Sequence, residues 1–131
     1  MAEELVGKKL LLVDDDPDIL TAMQAALADT GATIETASDG DQAIDKIARG
    51  TPDLVVLDMM LPKRSGFLVM ERLKRARKAE DRPRVIMITG NQGTRHRVYA
   101  ETLGIDVYLN KPFRMEKLVS SIKELLTKVA S

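Results

Sequence analysis

The chain of 131 residues contains no cysteine, so disulfides, thiolate metal sites and cysteine nucleophiles are excluded. It has one histidine, His96, set between Arg95 and Arg97 on an expected surface helix, and we assign it no chemistry. No apolar run approaches the roughly 20 residues that a membrane-crossing helix needs. The N-terminus, Met1-Ala2-Glu3-Glu4, is acidic and offers no apolar signal segment, so a cytoplasmic location is expected. Net charge is absent too: 20 acidic side chains balance 20 basic ones, which argues against general nucleic-acid binding. The balance hides a gradient. Residues 1–62 hold 13 acidic and 4 basic side chains, whereas residues 63–84 hold 9 basic and 3 acidic. The stretch from Lys63 to Arg84 reads first as a solvated helix face and second as a surface for an acidic partner. There is no internal repeat, low-complexity tract or long linker, so one domain over residues 1–131 is expected.

What the chain does have is an alternation of two apolar patterns. Continuous short runs stand at Leu10–Val13, Leu54–Leu57 and Val85–Ile88, with weaker ones at Thr33–Thr36 and Ile105–Leu109. Runs without polar alternation suit strands covered on both faces. Between them lie stripes at helical spacing: Ile19, Leu20, Met23 and Leu27; then Ala43, Ile44, Ile47 and Ala48; and the longest from Met115 to Val129. Asp16-Pro17 predicts a helix start with Pro17 at the first helical position. Asp39 or Gly40 caps the second helix. Gly31, Gly50 and Gly104 stand where left-handed helix ends are expected. The order βαβαβαβαβα implies a parallel sheet with helices on both faces.

In such a sheet, ligands bind beyond the carboxyl ends of the strands. Asp14, Asp15, Asp58, Thr89 and Lys111 all fall at or just after those ends. Clustered carboxylates repel one another and call for a cation. Hard oxygen donors without cysteine or histidine favour magnesium or manganese over zinc. Lys111 adds a charge that a bare cation site does not need. A phosphoryl group between metal and lysine accounts for both, and the Thr89 hydroxyl can donate to one of its oxygens.

The residues carrying this edge resemble the receiver domain of bacterial two-component response regulators. The matching segments are Leu11–Pro17, Ala37–Gly40, Pro52–Pro62, Ile88–Gly90 and Tyr108–Phe113, in order across nearly the whole chain. The resemblance implies a flavodoxin-like (βα)5 three-layer fold with strand order 2-1-3-4-5. It makes Asp58 the acceptor of a phosphoryl group from a histidine kinase or a histidine phosphotransfer protein. It makes Asp15 a direct magnesium ligand, Asp14 a ligand through water and the Met60 backbone carbonyl a third protein ligand. Lys111 pairs with the acceptor and later with the phosphoryl group, and its bond to Pro112 is cis. Thr89 and Tyr108 become switch residues that alter an α4-β5-α5 surface read by a downstream target protein. Moving such a switch from 1:99 to 99:1 takes about 5.5 kcal/mol. One hydrogen bond to a charged group gives roughly 1.5–3 kcal/mol, so Thr89 cannot act alone.

The chain departs from the pattern in places. Gly90 stands where the family usually has a small residue with a side chain. Met60 and Asn91 occupy the positions that tune phosphoryl lifetime, and Met60 cannot hold a water, so self-dephosphorylation is expected to be slow to intermediate. Three positions usually charged in α4-β5-α5 dimers hold Val107, Lys117 and Ser121, which argues against that dimer. A single-domain regulator without direct DNA binding is expected. Two rival readings remain: an unphosphorylated interaction module that keeps only the fold, and a phosphohydrolase of the haloacid dehalogenase type. The latter needs an aspartate at position 60, which is methionine.

Overall fold

A computed structural model describes residues 4–78, 81–90 and 94–127. Among these residues five strands alternate with five helices. The strands are β1 (Lys9–Val13), β2 (Thr33–Ala37), β3 (Leu54–Asp58), β4 (Arg84–Thr89) and β5 (Val107–Asn110). The helices are α1 (Pro17–Leu27), α2 (Gly40–Gly50), α3 (Gly66–Ala76), α4 (Thr94–Thr102) and α5 (Met115–Thr127). All four strand pairings are parallel and the order is β2-β1-β3-β4-β5, the flavodoxin-like order expected from the sequence. The end of the α5 stripe at Val129 and the side chain of His96 lie outside the described residues.

The sheet divides the core in two, because successive strand side chains point to opposite faces. Leu11, Val13, Val55, Leu57, Val85 and Met87 pack with Ala43 and Ile47 of α2, Val69 and Leu73 of α3, and Ala100 of α4. Leu10, Leu12, Leu54, Val56, Ile86 and Ile88 pack with Met23 and Leu27 of α1 and with Leu118 and Ile122 of α5. The central strands are covered on both faces, so their sequences show no alternation. Edge strand β2 does alternate in burial and ends on a buried Ala37.

Local chemistry sets the element ends. Asp16 caps α1 by accepting the Asp18 N–H, with Pro17 at the first helical position. Asp39 caps α2 by accepting the Gln42 N–H at 2.8 Å, and Gln42 reaches back to the Ser38 N–H at 3.0 Å. Gly31 and Gly104 adopt the left-handed conformation expected of them. Gly50 does not: it is the last residue of α2, and Thr51 takes the left-handed position at φ 43°. Pro52 follows and disfavours the right-handed region for Thr51. The left-handed turn still lets the Thr51 N–H close on the Ile47 carbonyl at 3.2 Å.

The loop from Met59 to Ser65 joins β3 to α3 and is pinned at its base. The Met59 N–H donates to the Ile88 carbonyl and the Gly66 N–H to the Met59 carbonyl, both at 2.8 Å. A Cβ on Gly66 would stand 2.5 Å from the Asp58 carbonyl oxygen and 2.8 Å from the Met59 Cα. Both are backbone atoms, so no side chain can yield. Gly66→Ala is therefore expected to destabilise the fold by about 1–3 kcal/mol, measured as a lower urea midpoint at unchanged m-value.

Candidate functional site

The register of the strands builds the site. Val13 pairs with Leu57, so the next residues, Asp14 and Asp58, emerge side by side on the same face of the sheet. Both are buried. Asp15 follows Asp14 and is exposed. One carboxylate oxygen from each of Asp14, Asp15 and Asp58 lies within 4.8 Å of the others. On the far side, the Lys111 N–H donates to the Thr89 carbonyl at 2.7 Å, which holds the chain after β5 against the end of β4. From there the Lys111 ammonium reaches Asp58 Oδ2 at 3.3 Å and Asp14 Oδ2 at 3.2 Å. The Lys111–Pro112 bond is cis, as expected.

The four oxygens of the two buried carboxylates differ in their partners. Asp14 Oδ1 accepts the Asp16 N–H at 2.9 Å. Asp58 Oδ1 accepts the Met60 N–H at 3.1 Å, and Asp58 Oδ2 accepts from Lys111. Asp14 Oδ2 is buried and makes no well-aligned hydrogen bond; its close partner is the Lys111 ammonium, an ion pair at 3.2 Å. A buried carboxylate oxygen in that state is costly unless a cation engages it. The hard oxygen donors of Asp14, Asp15 and Asp58, one of them short of a hydrogen bond, fit a magnesium-type cation.

Burial pushes the Asp58 carboxyl above the usual carboxylate range. The Asp14 charge adds to the rise, while the Met60 N–H and Lys111 oppose it. Burial pulls the Lys111 ammonium down, but Asp58 and Asp14 together outweigh it and leave the group raised. Lys111 is thus a fixed positive charge at neutral pH.

Thr89 is fully buried at the end of β4. Met87 pairs with Tyr108, so Thr89 is the diagonal neighbour of Tyr108 on the same face. The two side chains are hydrogen-bonded. Burial raises the Tyr108 phenol, and Thr89 and the Arg97 charge pull it back. The Arg97 guanidinium of α4 stands 5.8 Å from the centre of the Tyr108 ring, a cation–π distance. All seven expected site residues, Asp14, Asp15, Asp58, Met60, Thr89, Tyr108 and Lys111, thus fall at one edge of the sheet. Asn91 lies outside the described residues. Sequence reasoning missed Arg97, for which the only signal was its place on the helix before β5.

Fold and pocket together define a flavodoxin-like domain with an acidic, lysine-bearing pocket at the carboxyl edge of its sheet. The chain belongs to the response regulator receiver domain family, which its residues 10–123 match, and is a receiver domain of two-component signalling. It is 43% identical over 115 residues to the transcriptional regulatory protein DltR of Streptococcus agalactiae, covering 88% of this chain and 50% of that protein. It is 36% identical over 121 residues to the alkaline phosphatase synthesis transcriptional regulatory protein PhoP of Bacillus subtilis, covering 92% of this chain and 49% of that one. The chain therefore spans about half the length of these curated relatives. Among solved structures, a CheY-like response regulator receiver domain from Methanospirillum hungatei superposes with a TM-score of 0.84 at 30% identity, over 92% of this chain and 94% of that one. Receiver domains bind magnesium in an acidic pocket, and Asp14, Asp15 and Asp58 form an acidic pocket here. Among the described residues no helix is long and apolar enough to cross a membrane.

Proposed function

We propose that Asp58 accepts a phosphoryl group from a phosphohistidine donor and that Thr89 and Tyr108 relay the change to the α4-β5-α5 surface. The observation that carries this reading is the junction of Asp14, Asp58 and Lys111, where one ammonium lies within 3.3 Å of two buried carboxylates. An Asp58 oxygen forms a bond to phosphorus while the bond from phosphorus to the donor nitrogen breaks. The electron pair leaves with the imidazole, which takes up a proton. No general base is needed, because the carboxylate is already the nucleophile. Transfer of this kind depends on positioning and charge neutralisation. Lys111 neutralises one side of the transferring group. Asp15, Asp14 through water, Asp58 and the Met60 carbonyl would hold Mg2+ or Mn2+, which supplies positive charge on the other side when bound.

The hydroxyl of Thr89 then exchanges its bond to Tyr108 for a phosphoryl oxygen. Tyr108 loses that partner while remaining under Arg97, so the change reaches α4. The donor is a histidine kinase or histidine phosphotransfer protein. An apolar groove of about 530 Å³ lined by Ile19, Ala22, Phe113 and Met115 opens beside Lys111 and suits a docked helix. The output is a second protein or protein segment, and the names of the relatives extend this to a DNA-binding partner.

Incubation with acetyl phosphate and Mg2+ is expected to add one phosphoryl group by intact mass, and excess chelator to prevent it. Borohydride reduction is expected to convert residue 58 alone to homoserine. A magnesium-independent gain, or reduction at another residue, would refute the assignment. No gain at all would favour an interaction module that keeps only the fold.

A further inference from the structure

We infer that the N-terminus of α2 clamps the β3–α3 loop and so fixes the Met60 carbonyl, which makes Gly40 and the loop's cationic pair Lys63 and Arg64 positioning residues for the cation site. This rests on the reading of Asp58 and Met60 above. The Met60 side chain is 65% exposed, so its carbonyl is placed through the backbone, by the Met60 N–H on Asp58 Oδ1 on one side and by the rest of the loop on the other.

Three contacts tie the middle of that loop to α2. The Gly40 N–H, one of the helix's unpaired first donors, goes to the Pro62 carbonyl at 3.2 Å. Arg64 Nε donates to Asp41 Oδ1 at 3.0 Å. Lys63 Nζ lies 3.7 Å from Asp39 Oδ2. The approach is so close that a Cβ on Gly40 would overlap both the carbonyl oxygen and the Cβ of Arg64. Gly40 is not left-handed, so space and not backbone conformation requires glycine there. Lys63 itself sits at φ 67°, a left-handed conformation that is strained for a non-glycine residue and persists only where neighbours impose it. Asp39, the buried cap of α2, is the neighbour its ammonium faces. The helix end thus presses on the loop and pairs with it at once.

Two variants separate a clamp from bulk stability and from simple charge. Gly40→Ala adds a methyl that pushes the loop away. It is expected to weaken Mg2+ binding about tenfold by calorimetry, the scale of lost support around a metal site. Amide exchange at Met60, Leu61, Lys63 and Arg64 should quicken while unfolding stays cooperative. Gly50→Ala, at the other end of α2, meets nothing closer than Glu35 Oε2 at 3.7 Å and is expected to bind Mg2+ as the wild type does. The second variant, Lys63→Met with Arg64→Met, leaves the backbone untouched and keeps the test alive if Gly40→Ala fails to fold. Removing two cations beside an acidic pocket should tighten Mg2+ binding by charge alone, whereas a lost clamp weakens it, by roughly two- to fivefold. Wild-type affinity in Gly40→Ala, or unchanged or tighter binding in the double variant, overturns the clamp alone. A wild-type chain that binds no Mg2+ overturns the site reading as well.

Discussion

Asp58→Asn is expected to abolish phosphoryl uptake from acetyl phosphate and, at neutral pH, to make the protein more stable. The first effect follows from chemistry: the amide of asparagine is not a nucleophile under these conditions, and the neighbouring Asp14 has one oxygen already committed to the Asp16 N–H. The second follows from the raised Asp58 carboxyl, whose main cause is burial, with Asp14 adding to it. A carboxyl that titrates higher in the folded chain than in the unfolded one holds its proton longer when folded. Stability therefore falls as pH rises from the ordinary carboxylate value through the folded value, and the charged side chain is a burden at pH 7. Asparagine removes that burden and leaves Lys111 paired with Asp14. A gain on the order of 1 kcal/mol, several degrees in Tm, is expected at pH 7, vanishing below the ordinary carboxylate range. Calorimetric scans at both pH values decide it. A Tm gain that is equal at both would mean that Asp58 ionisation is not the cause.

The sequence disclosed most of this site because strand ends are legible when strands are buried on both faces. Leu54–Leu57 carries no alternation, so its end is marked by the first polar residue, Asp58. The same logic located Asp14 and Thr89. Lys111 was legible through the apolar stretch before it, although its reach to both carboxylates depends on the Thr89 carbonyl that holds its backbone. Local punctuation worked where side chain and backbone share a turn, as at Asp16 and Asp39. It failed at Gly50, where α2 keeps the glycine as its last residue and Thr51 takes the left-handed position one place along. Gly40 reads as a helix start from its neighbours alone. That it must be glycine depends on Arg64, which only the packing of α2 against the β3–α3 loop brings to it. Arg97 over Tyr108, and Tyr99 hydrogen-bonded to Glu71, likewise join elements whose mutual placement no local pattern encodes.

Lys111→Met is expected to move two measurements in opposite directions. Phosphoryl transfer to Asp58 should slow by about 10²- to 10³-fold, the usual loss when one preorganised charge is withdrawn from a transition state. Mg2+ binding should tighten, because the ammonium stands 3.2 Å from Asp14 Oδ2 and 3.3 Å from Asp58 Oδ2 and so competes for the same oxygens. Stability without metal should drop, since two buried carboxylates lose their counter-charge. That contribution has its own pH signature. Burial lowers the Lys111 pKa, but Asp58 and Asp14 raise it further, so its stabilisation is complete below the ordinary lysine value and is lost as pH rises through the raised folded value. Wild type and variant should therefore differ most in Tm at neutral pH without metal. They should converge in strongly alkaline solution, and converge again at neutral pH once Mg2+ replaces the missing charge. Weaker Mg2+ binding in Lys111→Met would show that the lysine organises the carboxylates for the cation, not that it competes with the cation for them.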